Sequence, residues 1–141
     1  MTAQQNPARY AQAIQYQLDT ILGAVPVFVN FNRNWNKTQT KFVTWQLRNV
    51  HQPVFTGTTQ SNKGIDTPVF QVSVFATTVD EAFNISNTIL QSLHGYSGIL
   101  GNPATTGFYV SKVDVVWLYN TYDNEIGMQQ IILDCTLYVP S

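Results

Sequence analysis

Two stretches of the chain repeat apolar residues at the three- to four-residue spacing of a buried helix face. In the first, Asn6 can cap the helix, Pro7 suits its first turn and Gly23 ends it. In the second, Thr78 and Glu81 form a capping-box pair before the apolar positions begin. The apolar positions are Tyr10, Ile14, Leu18 and Ile21 in the first stretch, and Ala82, Ile85, Ile89 and Leu93 in the second. The pattern predicts two amphipathic helices.

Runs of β-branched and aromatic residues predict five strands around these helices. Pro26 makes "AVPVFVNF" an edge strand or the start of a strand. Further strands are predicted at residues 42–50 and 69–76, and a closing hairpin at residues 109–119 and 128–139. The order α-β-β-β-α-β-β predicts an α+β fold, with a mostly antiparallel sheet and two helices packed on one face. The length of 141 residues predicts a single domain, 1–141.

In the predicted hairpin, apolar residues occupy the odd-numbered positions of both strands, so the pairing has to preserve this parity. One such register sets Asp114 opposite Asp134, and another sets Lys112 opposite Asp134. Like charges directly opposite each other are unfavourable, so the sequence favours the second register, with a loop of about five residues near "TYDNE". The residues directed inward are Val113, Val115, Trp117, Tyr119, Ile131, Leu133, Cys135 and Leu137.

Two glycine-punctuated stretches are predicted to be loops. Residues 55–68 are long for an ordinary connection, which indicates a mobile or a functional segment. Within residues 94–107, "GILGNPATTG" suggests a phosphate cradle, but it lacks the Gly-Lys-[Ser/Thr] ending and leads into a strand. We therefore interpret it as a loop.

Charge is scarce in this chain. Charged residues make up 11% of the sequence, under half of the usual ~25%, and the formal net charge is −1. A surface of amides and hydroxyls repels neighbouring copies weakly, which favours self-association, although a compositional bias of the host would look the same. The chain has no basic field that would hold nucleic acid by counterion release.

The residues that usually carry chemistry do not form a site in the sequence. Local structural roles are predicted for His51 and His94, and a buried, inert thiol for Cys135. Asp114 and Asp134 share the outer face of the hairpin, as groups on a solvated sheet surface would. No catalytic residue, metal site or cofactor is predicted, and the chain is not expected to be an enzyme.

The cationic residues Arg33, Lys37, Lys41 and Arg48 are interleaved with Trp35 and Trp45, an arrangement that could bind single-stranded nucleic acid. A solvated loop beside buried tryptophans is the favoured interpretation. The sequence shows neither a signal peptide nor the ~18-residue apolar run of a membrane helix, so a cytoplasmic chain without membrane contact is expected.

The strand "VFQVSVFATT", the helix "DEAFNISNTILQSLHG" and the hairpin ending "IILDCTLYVP" together resemble phage tail terminator (tail completion) proteins. The similarity includes the first helix, "FVTWQLRNV" and the approach "TPVFQV", and its closest matches are Gln71 and residues 93–95. It implies a small subunit that forms a ring, expected to be a hexamer, which caps the tail tube and ends its polymerisation. The implied partners are further copies of the chain, the tail tube protein and neck or head–tail connector proteins, with DNA only passing through the lumen. The implied location is the virion tail or neck, after assembly in the host cytoplasm.

A ring is built from heterologous contacts, in which one surface meets a different surface of the next copy. We assign these contacts, or contacts with the tube, to the hairpin turn at residues 119–127 and the loop at residues 56–66. The turn combines apolar groups that a free monomer would leave in water, and the loop is too long to serve only as a connection. The candidate interface residues are Tyr119, Tyr122, Asp123, Glu125, Ile126, Thr58, Gln60, Asn62 and Lys63. The alternative is that both segments are exposed turns without a partner.

Three other functions remain open at this point. Another neck or head–tail joining protein of the virion would show the same low charge and lack of chemistry. A small-ligand-binding module would need an apolar pocket with convergent polar groups. A single-strand nucleic-acid binder would show steep salt dependence.

Overall fold

The computed structural model describes residues 7–30, 40–51 and 65–140. The elements along the chain are α1 (Pro7–Leu22), β1 (Val27–Val29), β2 (Lys41–His51), β3 (Ile65–Ala76), α2 (Val79–Leu93), β4 (Gly98–Leu100), β5 (Phe108–Val110), β6 (Lys112–Asp123) and β7 (Met128–Pro140). The predicted α+β class and the order α-β-β-β-α-β-β are confirmed, with β4 and β5 as two additional short strands.

Five of the strands form the main sheet, in the order β1-β2-β3-β7-β6. β1 runs parallel to β2, and all other neighbours in this sheet are antiparallel. β1 forms one edge, as the proline before it predicted, and β6 forms the other. β4 and β5 pair with each other in a separate two-stranded sheet.

The two helices begin and end where their capping residues predict. α1 starts at Pro7, and Gly23 follows it with φ +60° while its N–H donates to the carbonyl of Asp19 at 3.0 Å. At the start of α2, the N–H of Glu81 donates to the hydroxyl of Thr78 at 3.2 Å. The predicted apolar stripes are buried, except that Ile21 is half-buried against the core.

Both helices pack against the same face of the sheet, and this layer holds the main hydrophobic core. Each fully buried leucine or isoleucine there contributes roughly 1.5–3 kcal/mol relative to an exposed one. The residues of the main sheet in this core are Val43, Trp45, Phe70, Val72, Val74, Ala76, Val113, Val115, Ile131, Leu133, Cys135, Leu137 and Val139.

A second, smaller apolar cluster lies on the opposite face of the sheet, near the β6–β7 turn. Phe42, Phe75 and Met128 are buried there, with Phe28 and Ile126 half-buried against them. The rings of Phe42 and Phe75 stack with centroids 4.7 Å apart and planes at 17°. The parity pattern directs the even-numbered Met128 to solvent, so the sequence did not predict this cluster.

The register favoured for the hairpin is wrong, and so is the alternative that was considered, although the odd-to-odd parity is kept through Trp117. Asp114 lies opposite Thr136, and Asp134 lies opposite Val116. The turn consists of the four residues 124–127. The N–H of Gly127, at φ +68°, donates to the carbonyl of Asp123 at 2.8 Å and closes it. This turn geometry, together with the pairing of β7 with β3, sets the register more strongly than one cross-strand charge pair does.

A β-bulge interrupts β6 between Trp117 and Tyr119, with Leu118 as the extra residue. Trp117 pairs with Leu133 and lies on the helix-covered face, whereas Tyr119 pairs with Ile132 and lies on the opposite face. The predicted inward position of Tyr119 is therefore wrong, and its side chain is 53% exposed. Trp117 faces the helix side as predicted, but at the margin of α2 it remains 40% exposed.

Parts of both predicted loops are strands in the structure. β3 begins at Ile65, inside the stretch predicted as loop 55–68, and the fully buried Asp66 there accepts a hydrogen bond from the hydroxyl of Tyr10. β4 lies inside the loop predicted at 94–107, and β5 follows this loop directly, overlapping the start of the strand predicted at 109–119. The four candidate loop residues lie outside the described residues: Thr58, Gln60, Asn62 and Lys63.

Candidate functional site

The outer edge of β6 is covered over its first half by the end of α2. The N–H of Gly95 donates to the carbonyl of Val113 at 2.8 Å. The N–H of Val115 donates to Nδ1 of His94, the C-cap residue of α2, at 3.0 Å. These two bonds use backbone groups that an edge strand otherwise offers to another chain. The local structural role predicted for His94 is confirmed.

The second half of the β6 edge, residues 116–123, has no strand or backbone cap beside it among the described residues. We call it the open edge. Natural proteins usually protect such edges with lysine, proline or short strands, because an unpaired edge templates pairing with another chain. Here the edge instead carries large, exposed apolar side chains, namely Val116, Trp117, Leu118, Tyr119 and Tyr122.

An aromatic pair extends the open edge onto α2. The rings of Phe83 and Trp117 stack with centroids 6.0 Å apart and planes at 12°. Both side chains are about two-fifths exposed, although a stacked pair stabilises best when it is covered. A shallow groove of about 320 Å³ runs beside them, lined by Phe83, Asn84, Ser86, Asn87, Leu90 and Trp117.

The structure places the predicted turn residues in different environments. Tyr119 and Tyr122 are half-exposed on opposite faces of the open edge. The carboxylate of Asp123 accepts from the N–H of the exposed Glu125 at 3.0 Å and so shapes the turn. Ile126 is half-buried against the second apolar cluster, so it is less exposed than predicted. Tyr119, Tyr122 and Glu125 are therefore the described candidates whose side chains are exposed.

Sequence reasoning missed Val116, Leu118 and Phe83, and it placed Trp117 in the core. The signal was present in the uninterrupted apolar run at residues 115–119. Strict alternation places polar residues on the exposed face, so a five-residue apolar run indicates apolar side chains on both faces of the strand.

At the opposite edge of the sheet, α1, β1 and β2 border a second, open groove of about 500 Å³. We call it the α1 groove; it is lined by Ala11, Gln12, Gln15, Tyr16, Asp19, Val29 and Trp45.

The amide of Gln15 fixes the walls of this groove. Its oxygen accepts from Nε1 of Trp45 at 2.6 Å, and its nitrogen donates to Asp19 at 3.0 Å and to the carbonyl of Val27 at 3.3 Å. A groove held by three such bonds needs little reordering when it binds a partner.

The residues considered for chemistry are committed to structural contacts. Burial, with smaller contributions from Asp134 and Asp114, raises the pKa of the Cys135 thiol to about 12, so the nucleophilic thiolate does not form near neutral pH. Asp134 pairs with Arg48 at 2.7 Å. Among residues 7–30, 40–51 and 65–140, no cluster of three potential metal-ligating side chains exists. The prediction for the side chain of His51 lies outside the described part of the structure.

The described part of the predicted cationic cluster is engaged in ion pairs or buried. Nζ of Lys41 lies 4.0 Å from Glu81, Arg48 pairs with Asp134, and Trp45 is buried. The remaining members lie outside the described residues: Arg33, Trp35 and Lys37. In the ranges that the structure covers, neither helix combines the length and apolar character of a membrane span.

No protein-family model matches the sequence, and no curated protein matches it either. Several solved structures share the fold. A chain of the virion of a native gene transfer agent (GTA) particle superposes with a TM-score of 0.54 at 14% identity, covering 93% of each chain. A second structure superposes with a TM-score of 0.60 at 11% identity, covering 98% of this chain and 97% of the other.

A third similar structure is the sheath/tube terminator of PVC, an extracellular contractile injection system, in the extended state. It superposes with a TM-score of 0.51 at 10% identity. The match covers 97% of this chain and 57% of that one, so this chain spans little more than half of that protein's length. The chain therefore shares its fold with components of virions and of tail-like particles.

Proposed function

We propose that this chain is a structural protein of a phage tail or tail-like particle, namely a tail terminator. Copies of the chain form a ring, a hexamer by resemblance to that family, which caps the finished tail tube. The ring ends tube polymerisation and joins the tube to the neck proteins. The protein then resides in the virion after assembly in the host cytoplasm, and DNA passes through the lumen of the ring.

The observation that carries this proposal is the open edge of β6 with its exposed apolar side chains, on a fold shared with a sheath/tube terminator. A monomer that worked alone would gain nothing from leaving two tyrosines and a tryptophan exposed on an unprotected edge. The low charge of the chain supports the same function, because copies with few charges repel each other weakly. A nearly neutral subunit would also let DNA pass without holding it.

Electron microscopy of the purified protein, alone and mixed with tail tubes, tests this function. We expect rings at one end of each tube and, when tube protein polymerises in the presence of the ring, tubes that stop growing. Tubes that keep growing with bare ends at a large excess of this protein would contradict the terminator function.

A neck or head–tail joining protein is the second candidate. The observation that favours it is the likeness to the GTA chain, since the GTA structure is that of a whole virion. The two candidates differ in partner, because a terminator binds the tube end and a joining protein binds the portal side. Pull-down of the purified chain with tube protein and with portal protein, in parallel, separates them.

A further inference from the structure

The Phe83–Trp117 pair and the α1 groove lie at opposite edges of one sheet and on the same side of it. Trp117 pairs with Leu133, which faces the helices, and Phe83 belongs to α2. At the other edge, Val29 lies beside Trp45 of the same helix-covered face. When copies are related by rotation about a ring axis, the helix side of each faces the same way. In a ring whose subunits meet sheet edge to sheet edge, the aromatic pair of one copy lies toward the α1 groove of the next.

We propose that the Phe83–Trp117 pair of one copy inserts into the α1 groove of the next copy, and that this heterologous contact builds the ring. The proposal rests on the proposed function, since it specifies which surfaces of a ring-forming subunit meet. It replaces the loop at residues 56–66 with the α1 groove as the surface that receives the β6 edge.

The apolar character of the two surfaces favours this pairing. The aromatic pair stands at the sheet margin with about two-fifths of each side chain exposed, and the groove of about 500 Å³ has apolar walls, including Tyr16, Val29 and Trp45. Aromatic side chains buried in a preformed apolar pocket are the contacts that carry most of the binding energy at interfaces. The bonds of Gln15 hold the groove in shape before the partner arrives.

The polar rims of the two surfaces offer hydrogen-bond donors on one side and an acceptor on the other. The exposed amides of Asn84 and Asn87 flank the aromatic pair, and each offers N–H donors. The carboxylate of Asp19, the charged residue of the α1 groove, accepts hydrogen bonds. Two copies of the α1 groove placed together would oppose two Asp19 carboxylates, whereas the residues that line the groove beside the aromatic pair are uncharged.

Cross-linking with engineered cysteines tests the contact directly. Gln12 and Asn84 are exposed residues that line the two surfaces, so the variant with both Gln12→Cys and Asn84→Cys carries one thiol on each. The buried Cys135 does not compete, because its thiol stays protonated. Treated with a short bis-maleimide, the double variant should give a ladder of covalent multimers that ends at the ring size. Each single variant should give only background amounts of covalent multimer, and the natural chain should not react.

The outcomes distinguish a wrong contact from a wrong function. Rings seen by electron microscopy without a ladder from the double variant would overturn this contact and leave the terminator function standing. A strong dimer from Asn84→Cys alone would also overturn it, because it would show a two-fold contact between like surfaces. Tubes left uncapped by an otherwise soluble protein would overturn the function itself.

Mixing two disabled variants gives a second test that does not depend on cross-linking geometry. Trp117→Glu removes the indole side chain that inserts into the neighbour, and Val29→Glu places a charge in the α1 groove. Neither variant should therefore assemble alone. A mixture retains one intact pairing and should form a heterodimer that grows no further, measured by analytical ultracentrifugation. Full rings formed by either variant alone would contradict the proposal, and circular dichroism of each variant checks that it is folded.

Discussion

The backbone N–H of Val115 donates to Nδ1 of His94 across the space between β6 and the end of α2, at 3.0 Å. This bond, with that from Gly95 to Val113, closes one half of an edge strand whose other half stays open. The fold thus restricts where another chain can approach β6.

Replacing His94 with alanine should remove this cap and leave the N–H of Val115 to water. Because the side chain is exposed, water replaces part of the bond, and we expect a loss of about 0.5–1.5 kcal/mol in the free energy of unfolding. Urea denaturation measures it. His94→Asn is the matched control, since its side-chain oxygen can accept from the same N–H, and it should recover part of the loss. Equal losses in the two variants would show that His94 acts through packing alone.

Replacing Phe42 with alanine should destabilise the protein by about 3–5 kcal/mol, although Phe42 lies on the face of the sheet opposite α1 and α2. Phe83→Ala is the matched control, because it removes the same ring from an exposed position and should cost less than about 1 kcal/mol. Thermal or urea unfolding of both variants checks the difference. Similar small losses would show that the second cluster does not contribute to stability.

Stability should fall at high pH because of Cys135. Its pKa is about 12 in the folded chain against 9.0 for an ordinary thiol, so between these values the unfolded chain has lost a proton that the folded chain still holds. The free energy of unfolding then decreases by up to about 1.4 kcal/mol per pH unit above about pH 9. The contribution is fully present below that pH. Unfolding at about pH 8 and about pH 10 should show a larger decrease for the natural chain than for Cys135→Ala.

The measurement compares how steeply the free energy of unfolding changes with pH in the two chains. The cavity left by Cys135→Ala lowers this free energy equally at every pH, and the other titrating groups are the same in both chains, so neither affects the difference. Parallel pH profiles for the two chains would mean that the thiol ionises as easily in the folded protein as in the unfolded one. A thiol-reactive chromophore offers an independent check, because Cys135 should react only after unfolding.

Replacing Tyr119 with lysine should weaken self-association while changing the free energy of unfolding by no more than about 0.5 kcal/mol. Tyr119 is 53% exposed on the open edge, and a lysine there is a common device against pairing with another chain. Tyr109→Lys is the control, since Tyr109 is 51% exposed but belongs to β5 in the small sheet. Sedimentation velocity compares the two variants, and equal effects would indicate a general effect of charge.

Local signals in the sequence predict the helices and the approximate position of every strand of the main sheet. Pro7, Gly23 and Thr78 start or end a helix within one turn of their own position, so the helix ends can be predicted from the neighbouring residues in the sequence. The inward positions of Val113 and Val115 follow from parity alone, which any register with the same parity preserves.

The register and the bulge depend on contacts that the local sequence does not contain. The opposed carboxylates used to choose the register matter little, because Asp134 lies opposite Val116 and its charge is paired by Arg48 of β2, which reaches across β3. The bulge at Leu118 moves Tyr119 to the other face, and no turn residue marks it. Both candidate tyrosines are exposed, but the face on which Tyr119 lies was predicted wrongly, and Phe83 was missed because it lies on another element.

The half-capped edge of β6 also affects the position, along the ring axis, at which neighbouring subunits meet. A sheet edge that is free along its whole length lets an incoming chain slip by two residues and bond equally well, which would produce a staircase of copies. The end of α2 occupies residues 113–115 and acts as a stop against that slippage. Each subunit would then meet its neighbour at the same level, so that the last copy returns to the first and a circle closes where a spiral would otherwise grow.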